Sequence, residues 1–406
     1  LFAFDLVNCL VIPFCEEVTM GFGGRSMNSV GVVLLGLSLF GQSVLAQQRG
    51  VLNADVLPFV EKGVLAGAVM LVADRDKTLA VETAGYADIA AKKPIPANGM
   101  FWIASMSKPV TGTALMVLVD EGKVQLDDPV EKYLPEFRGM WLVTQHDNDH
   151  QVLRHPARAL TVRDILRHTS GMPFQSAIET PTLDGLPLNI AVRSYATTPL
   201  LFEPGTKYQY SNAGINTAAR IIEVIEKQSF EDFLQERFFN PLGMKDTTFW
   251  PNDEQLTRLV KAYKPTDDKL SLHETTIGQL QYPLNNRGRY PMPAGGLFST
   301  AADMGLFCQM ILNNGEFRGK RYLSENAIKE MATRQTGDWI KDSYSLGWSV
   351  GDGWLGHGGA LATNMTVDYK RGIATVWLVQ HAGYPQAGDK AQGVFVEAAR
   401  RLAAGK

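Results

Sequence analysis

The sequence predicts a mixed α/β fold in which both ends of the mature chain build one lobe. A mainly helical lobe, at about residues 110–290, is inserted between them. Three observations lead there. Strand-like apolar runs gather at residues 66–82 and 345–380, helix-like runs fill the middle, and no repeat, heptad array or low-complexity linker breaks the stretch 51–402. A cleft where two such lobes meet is a natural site for a small substrate.

Taken in order, Ala54 to Val64 reads as a helix and Ala66 to Ala73 as an apolar strand. Asp74-Arg75-Asp76-Lys77 supplies a turn and Thr78 to Glu82 continues as a strand, so a hairpin is the simplest arrangement. Several of its apolar positions are consecutive rather than alternating, so these strands need cover. From Ser105 the pattern changes, and Val110, Ala114, Leu115, Val117 and Leu118 mark the apolar stripe of a helix. Thr161 to Arg167, Ala213 to Glu226 and Phe230 to Phe239 also read as helices, separated by connections containing Pro and Gly. Strands return at Ser345 to Val350, Met365 to Asp368 and Gly372 to Gln380, and Ala391 to Leu402 suits a helix lying against them.

The 406 residues are 45% apolar and 20% charged, the balance of a folded globular protein. A formal charge of -3 gives no broad attraction to nucleic acid or anionic lipid, which sets those partners aside. Residues 1–19 read as upstream sequence carried through. From residue 20 to 46 the pattern is that of a signal peptide: Arg25 in a short basic region, an apolar stretch from Val30 to Phe40, then Val44-Leu45-Ala46 before a cut. That stretch is shorter than the ~20 residues of a membrane span, so no stable span is expected after processing, and the mature protein is expected to be secreted or periplasmic. Cys9 and Cys15 leave with the leader. Cys308, in an apolar run, is expected to pack in the core.

The peptide Phe101-Trp102-Ile103-Ala104-Ser105-Met106-Ser107-Lys108 carries the chemistry. Three positions apart at the start of a helix, Ser105 and Lys108 occupy one face, which brings an amine to a hydroxyl. The amine can activate the serine as a nucleophile, and the helix start offers backbone donors where oxyanion charge develops. Tyr210, in Tyr210-Ser211-Asn212, is a second proton carrier. A phenol beside an ammonium is held closer to its anionic form, making it a candidate base for Ser105 and acid for the leaving group. Asn212 can orient the lysine or a substrate amide. In Gly356-His357-Gly358-Gly359-Ala360 the glycines let a substrate approach the strand, the Ala360 amide is a candidate second oxyanion donor beside that of Ser105, and His357 is a candidate positioning residue.

Together, Ser105-Met106-Ser107-Lys108, Tyr210-Ser211-Asn212 and His357-Gly358-Gly359 resemble the three motifs of the penicillin-recognising serine hydrolases, especially the class C β-lactamase-like branch with its esterases and D,D-peptidases. The segments Leu160 to Met172, Pro241 to Met244 and Pro293 to Thr300 extend the resemblance over most of the chain from Val51. It implies a β-lactamase/D,D-peptidase-like fold, with an antiparallel sheet flanked by helices, and an acyl-enzyme on Ser105 with Lys108 and Tyr210 sharing proton transfer. The third motif often begins with Lys and has Thr in the middle. His357 and Gly358 depart from that pattern and turn the expectation towards an esterase, with β-lactamase, D,D-peptidase or D-aminopeptidase activity as the nearby alternative and a noncatalytic binding protein as the distant one. The expected partner is a small ester, peptide or β-lactam. Oligomeric state is not legible.

Three local signals compete. Gly347-Trp348-Ser349-Val350-Gly351 matches a nucleophile elbow, but the residues that follow open no helix. His146-Asp147-Asn148-Asp149-His150 holds possible metal ligands in a polar loop, crowded too closely to face one ion, and reads as a solvated rim of the cleft. Trp102, Tyr290 and Trp348 are candidates for an acyl pocket or for packing. No dinucleotide or phosphate-loop fingerprint is present, and the chemistry calls for neither cofactor nor metal.

Overall fold

The computed structural model describes residues 50–405. The proposed upstream segment and signal peptide lie outside the described residues. A seven-stranded antiparallel sheet runs in the order Ser349–Gly351, Trp354–Gly358, Asn364–Asp368, Ile373–Leu378, Gly67–Asp74, Thr78–Asp88, Lys93–Pro94. Strands from both ends of the chain thus pair directly, with Val69 opposite Leu378 and Ala73 opposite Ala374.

The central strand Gly67–Asp74 is apolar throughout because both its faces are covered. Ala68, Met70 and Val72 pack under the terminal helices Asn53–Glu61 and Lys390–Ala404, with Trp377 and Phe395 beside them. The alternate residues Val69, Leu71 and Ala73 face the main core, shared with the helix Ala301–Leu312. The middle of the chain supplies the helices Ser107–Asp120, Val162–Leu166, Leu188–Thr197 and Asn212–Glu226. The helix expected over 230–239 is divided between Phe230–Leu234 and a π-turn at Gln235–Phe239.

One expected strand is corrected. Ser345 to Trp348 does not extend, because Gly347 adopts φ 84° and the Ser345 amide turns back to the Trp348 carbonyl (2.8 Å). A β-carbon on Gly347 would fall 2.8 Å from the Lys108 carbonyl, and one on Gly112 2.4 Å from the Leu346 carbonyl. These two glycines let the helix Ser107–Asp120 lie directly on the Leu346-Gly347 turn. Ser349 follows on an edge strand that leads into the next strand, so the elbow-like pentapeptide has no helix behind it.

The segment His146 to His150 forms the tip of the exposed hairpin Leu142–His146/Gln151–Arg154, where Asp147 Oδ1 accepts the amides of Asp149 and His150. Cys308 is buried with its thiol 3.7 Å from Met365 Sδ, and burial pushes that thiol up to about 12. No helix among the described residues is long and apolar enough to cross a membrane.

Candidate active site

Ser105 lies in the tight turn Ala104–Met106, which runs into the helix Ser107–Asp120. Ala104 enters that turn at φ 47°, a left-handed conformation that costs a residue with a β-carbon about 1–2 kcal/mol. The helix behind it is buried from Ser107 to Leu118, so the serine stands on a rigid mount.

One turn along, the Lys108 side-chain nitrogen is fully buried and donates to Asn212 Oδ1 (2.7 Å) and the Ala294 carbonyl (2.8 Å), and lies 3.1 Å from Ser105 Oγ. It also sits 4.5 Å from the centre of the Tyr210 ring. Burial drives Lys108 well below the ordinary lysine pKa.

Tyr210 departs from the sequence expectation. Burial raises its phenol above the ordinary value, and the hydrogen bond with Ser105 only partly opposes this. The expected pull of an ammonium towards phenolate is outweighed: desolvation raises Tyr210, and the same desolvation lowers Lys108 and so weakens the cation beside it.

Asn212 opens the helix Asn212–Glu226, whose cap is Ser211 accepting the Gly214 amide at 3.1 Å. The amides of Asn212 and Ala213 both donate to the Phe174 carbonyl (3.0 and 3.1 Å), which fixes Phe174 beside Tyr210.

A cavity of about 310 Å³ opens over the serine. Ser105, Tyr210, Asn212, Gly358, Gly359 and Ala360 all line it, with Trp102, Phe174, Gln279 and Met292 as further walls. Lys108 lies behind the wall. Neither Tyr290 nor Trp348 is part of it, Trp348 being stacked on Phe307 in the core. None of residues 146–150 reaches it.

His357 is placed differently from its neighbours. Its Nδ1 lies 2.6 Å from the Gly358 carbonyl, which can only accept, so the proton is on Nδ1 and Nε2 accepts from the Tyr344 hydroxyl at 2.9 Å. Burial and the proximity of Lys108 hold the ring neutral, with a pKa near about 3. Both nitrogens are spent inside the protein, and His357 is not part of the cavity wall.

Gly359 has no room for a side chain, since a β-carbon would fall 2.1 Å from Thr363 Oγ1 and 2.5 Å from the Ile103 carbonyl. At Gly358 the nearest atom would be 3.6 Å away. The amides of Ser105 and Ala360 donate to no protein acceptor among the described residues, although both residues line the cavity.

The segment Pro293 to Gly295, part of the family resemblance, forms the wall beside Lys108. It is held by Thr111 Oγ1 on the Pro293 carbonyl (2.8 Å), Trp102 Nε1 on the Gly295 carbonyl (2.7 Å) and the Ala294 amide on Asn216 Oδ1 (3.0 Å). Asn216 was missed, although it stands one helical turn beyond Asn212 and so on the same face.

Over residues 52–399 the chain matches the family model described as Beta-lactamase. Protein Rv1367c of Mycobacterium tuberculosis is 34% identical over 326 residues, covering 78% of this chain and 79% of that one. Lovastatin esterase of Penicillium rubens is 27% identical over 336 residues, covering 73% and 83%. Among solved structures, EstCE1, a hydrolase with promiscuous acyltransferase activity, has TM-score 0.73 at 22% identity over 86% of this chain and 97% of its own. The D-amino acid amidase from Ochrobactrum anthropi SV3 has TM-score 0.66 at 22% identity over 86% and 98%. At those identities the structural likeness speaks for the fold. With the family match spanning nearly all the described residues, the chain belongs to the beta-lactamase family of serine hydrolases.

Proposed function

We propose that this hydrolase acts on esters of uncharged acids through an acyl-enzyme on Ser105, with Lys108 as the base and Tyr210 as the proton donor to the leaving alcohol. The observation that carries the substrate class is the cavity wall, where no lining residue bears a formal charge. A carboxylate, as on a β-lactam or a D-alanyl peptide, would be desolvated there without a cation to receive it. His357 supplies none, being neutral and turned inward. The name of one similar protein, lovastatin esterase, agrees with an ester substrate.

A neutral Lys108 has two N–H groups and one lone pair. Asn212 Oδ1 and the Ala294 carbonyl take the two N–H groups, which leaves the lone pair for the Ser105 O–H at 3.1 Å. As Ser105 Oγ attacks, its proton passes to Lys108 and the carbonyl oxygen becomes an oxyanion facing the free amides of Ser105 and Ala360. Collapse breaks the ester C–O bond. Tyr210 gives its proton to the departing alkoxide and is reprotonated from the Lys108 ammonium. Water then attacks the acyl-enzyme, loses a proton to Lys108, and Ser105 leaves with a proton restored.

The test sets a short-chain p-nitrophenyl ester beside a chromogenic cephalosporin, with the mature wild type and Ser105→Ala. Ester turnover that exceeds cephalosporin turnover and disappears in Ser105→Ala is the expected result. Cephalosporin turnover in excess, lost in the same variant, would move the reading to a β-lactamase. No acyl adduct from either substrate would leave a binding protein.

Export through the segment 20–46 is part of the same reading. Amino-terminal sequencing of the protein from periplasm or medium is expected to begin at Gln47, and a mature protein that retains residues 20–46 contradicts it.

A further inference from the structure

The turn after the helix Val162–Leu166 is built around a buried carboxylate. Asp164 accepts from Arg158 (2.6 and 3.1 Å), Arg167 (3.0 Å), the Thr161 amide (3.0 Å) and the Thr169 hydroxyl (3.0 Å). Burial alone would raise this carboxyl, but the Arg158 pair and its companions hold it below the usual range. The Thr169 amide closes the turn on the Asp164 carbonyl (3.0 Å), and between them His168 takes φ 62°.

From that position His168 grips the tyrosine peptide on both sides. Its backbone carbonyl accepts the Gln209 amide at 2.9 Å, and its Nδ1 accepts the Ser211 amide at 3.2 Å. Its ring lies 4.6 Å, centre to centre, from Tyr210 and the same distance from Tyr344. With Nδ1 accepting, the neutral ring carries its proton on Nε2, which has no partner among the described residues. His168 is fully buried and does not line the cavity, so it cannot touch substrate.

We propose that His168 is the positioning residue for Tyr210, clamping residues 209 and 211 so that the phenol between them meets the leaving alcohol. This rests on the reading of Tyr210 as proton donor. A leaving alcohol of high pKa needs a donated proton, whereas p-nitrophenolate leaves without one. Loss of the clamp therefore lowers the ratio of alkyl-ester to p-nitrophenyl-ester turnover, a signature that general loss of folded protein would not give.

The experiment compares kcat and KM for an ethyl ester and a p-nitrophenyl ester of the same acid in wild type, His168→Gly, His168→Asn, Tyr210→Phe and the double variant His168→Gly/Tyr210→Phe. Glycine accepts the left-handed turn and removes only the ring, while asparagine accepts that turn and restores an acceptor for the Ser211 amide. In His168→Gly the ratio is expected to fall about tenfold or more through kcat, with KM little changed. His168→Asn is expected to recover most of the loss, and His168→Gly to add nothing in the Tyr210→Phe background.

Equal loss on both esters in His168→Gly, or a loss that persists in the double variant, overturns the proposal for His168 alone. An unchanged ratio in Tyr210→Phe overturns the reading of Tyr210 and this proposal with it. Should His168→Gly not fold, His168→Asn decides: a ratio within about threefold of wild type is expected, and one as low as that of Tyr210→Phe contradicts the clamp.

Discussion

Buried beside Asn212, Ala294 and the Ser105 hydroxyl, with no carboxylate in hydrogen-bond contact among the described residues, Lys108 gives up its proton more easily than a lysine in water. Because burial lowers its pKa, the reactive neutral amine accumulates as pH rises and does so well before the ordinary value of 10.5. The profile of kcat/KM against pH is therefore expected to rise and reach its plateau well below 10.5, while Tyr210, raised by burial, stays protonated beyond its ordinary 10.0. An acid limb at 10.5 would contradict Lys108 as the base. Gly359 makes a second point at this scale. Its β-carbon would strike the Ile103 carbonyl, which precedes the nucleophile turn, so Gly359→Ala must displace either that turn or the Ala360 amide. Its kcat is expected to fall by roughly tenfold or more, given what one oxyanion donor contributes. An enzyme with wild-type kcat would show that the amide is not a donor.

Two elements hold the site, and each can be loosened on purpose. In Gly112→Ala the new methyl group meets the Leu346 carbonyl, and the strain should lower stability by about 1–3 kcal/mol in a denaturant titration. An unchanged midpoint would show that the helix and turn can separate freely. On the opposite wall, the buried pair Asp184–Arg289 (2.7 Å) anchors the segment 277–292, with Asp184 also accepting the Gln281 amide and Arg289 reaching the Phe249 carbonyl. Arg289→Met leaves Asp184 buried without its cation, a loss of about 3–5 kcal/mol, and is expected to raise KM because Gln279 and Met292 line the cavity. Chemical denaturation and ester kinetics check both halves, and an unaltered KM in folded protein would free the wall from that anchor.

Elements of this kind also mark how far the sequence could be read. The hairpin of Gly67–Asp74 and Thr78–Asp88, the helix Asn212–Glu226 and the Ser105–Lys108 spacing were legible because their signals are local in periodicity and turn chemistry. The strand expected from Ser345 was not, because Gly347 answers to a helix more than two hundred residues earlier in the chain. The same holds for the Tyr210 phenol and the inward-facing His357. Their states follow from burial and from Tyr344, neither of which leaves a mark in a three-residue motif.

Across the whole molecule, buried neutral histidines set the response to acid. Burial, with Lys108 and His357 nearby, holds His168 well below 6.5; His357 is lowered to about 3 and His381 to about 4, burial being the leading cause in each. A depressed folded pKa means that the unfolded chain binds these protons first. The contribution of these histidines is therefore full above 6.5 and declines as pH falls towards the folded values, by about 1.4 kcal/mol per pH unit for each group still neutral in the fold. Asp303, which burial raises to about 6, works in the opposite sense between 6 and 3.8, and Glu179 and Glu231, also raised by burial, join it only from their folded values down to 4.5, against three histidines whose share declines from 6.5 onward. The melting temperature is expected to fall from pH 7 to pH 4.5, and a constant or rising value would contradict this balance. The same chain keeps charged side chains out of the cavity wall on which Ser105 stands. The most direct test is to mix wild type with a slowly turned-over ester, quench in acid and map the acyl mass by peptide analysis. The account predicts an adduct on Ser105 that is absent from Ser105→Ala. An adduct on another residue, or hydrolysis without one in wild type and undiminished in Ser105→Ala, would contradict it.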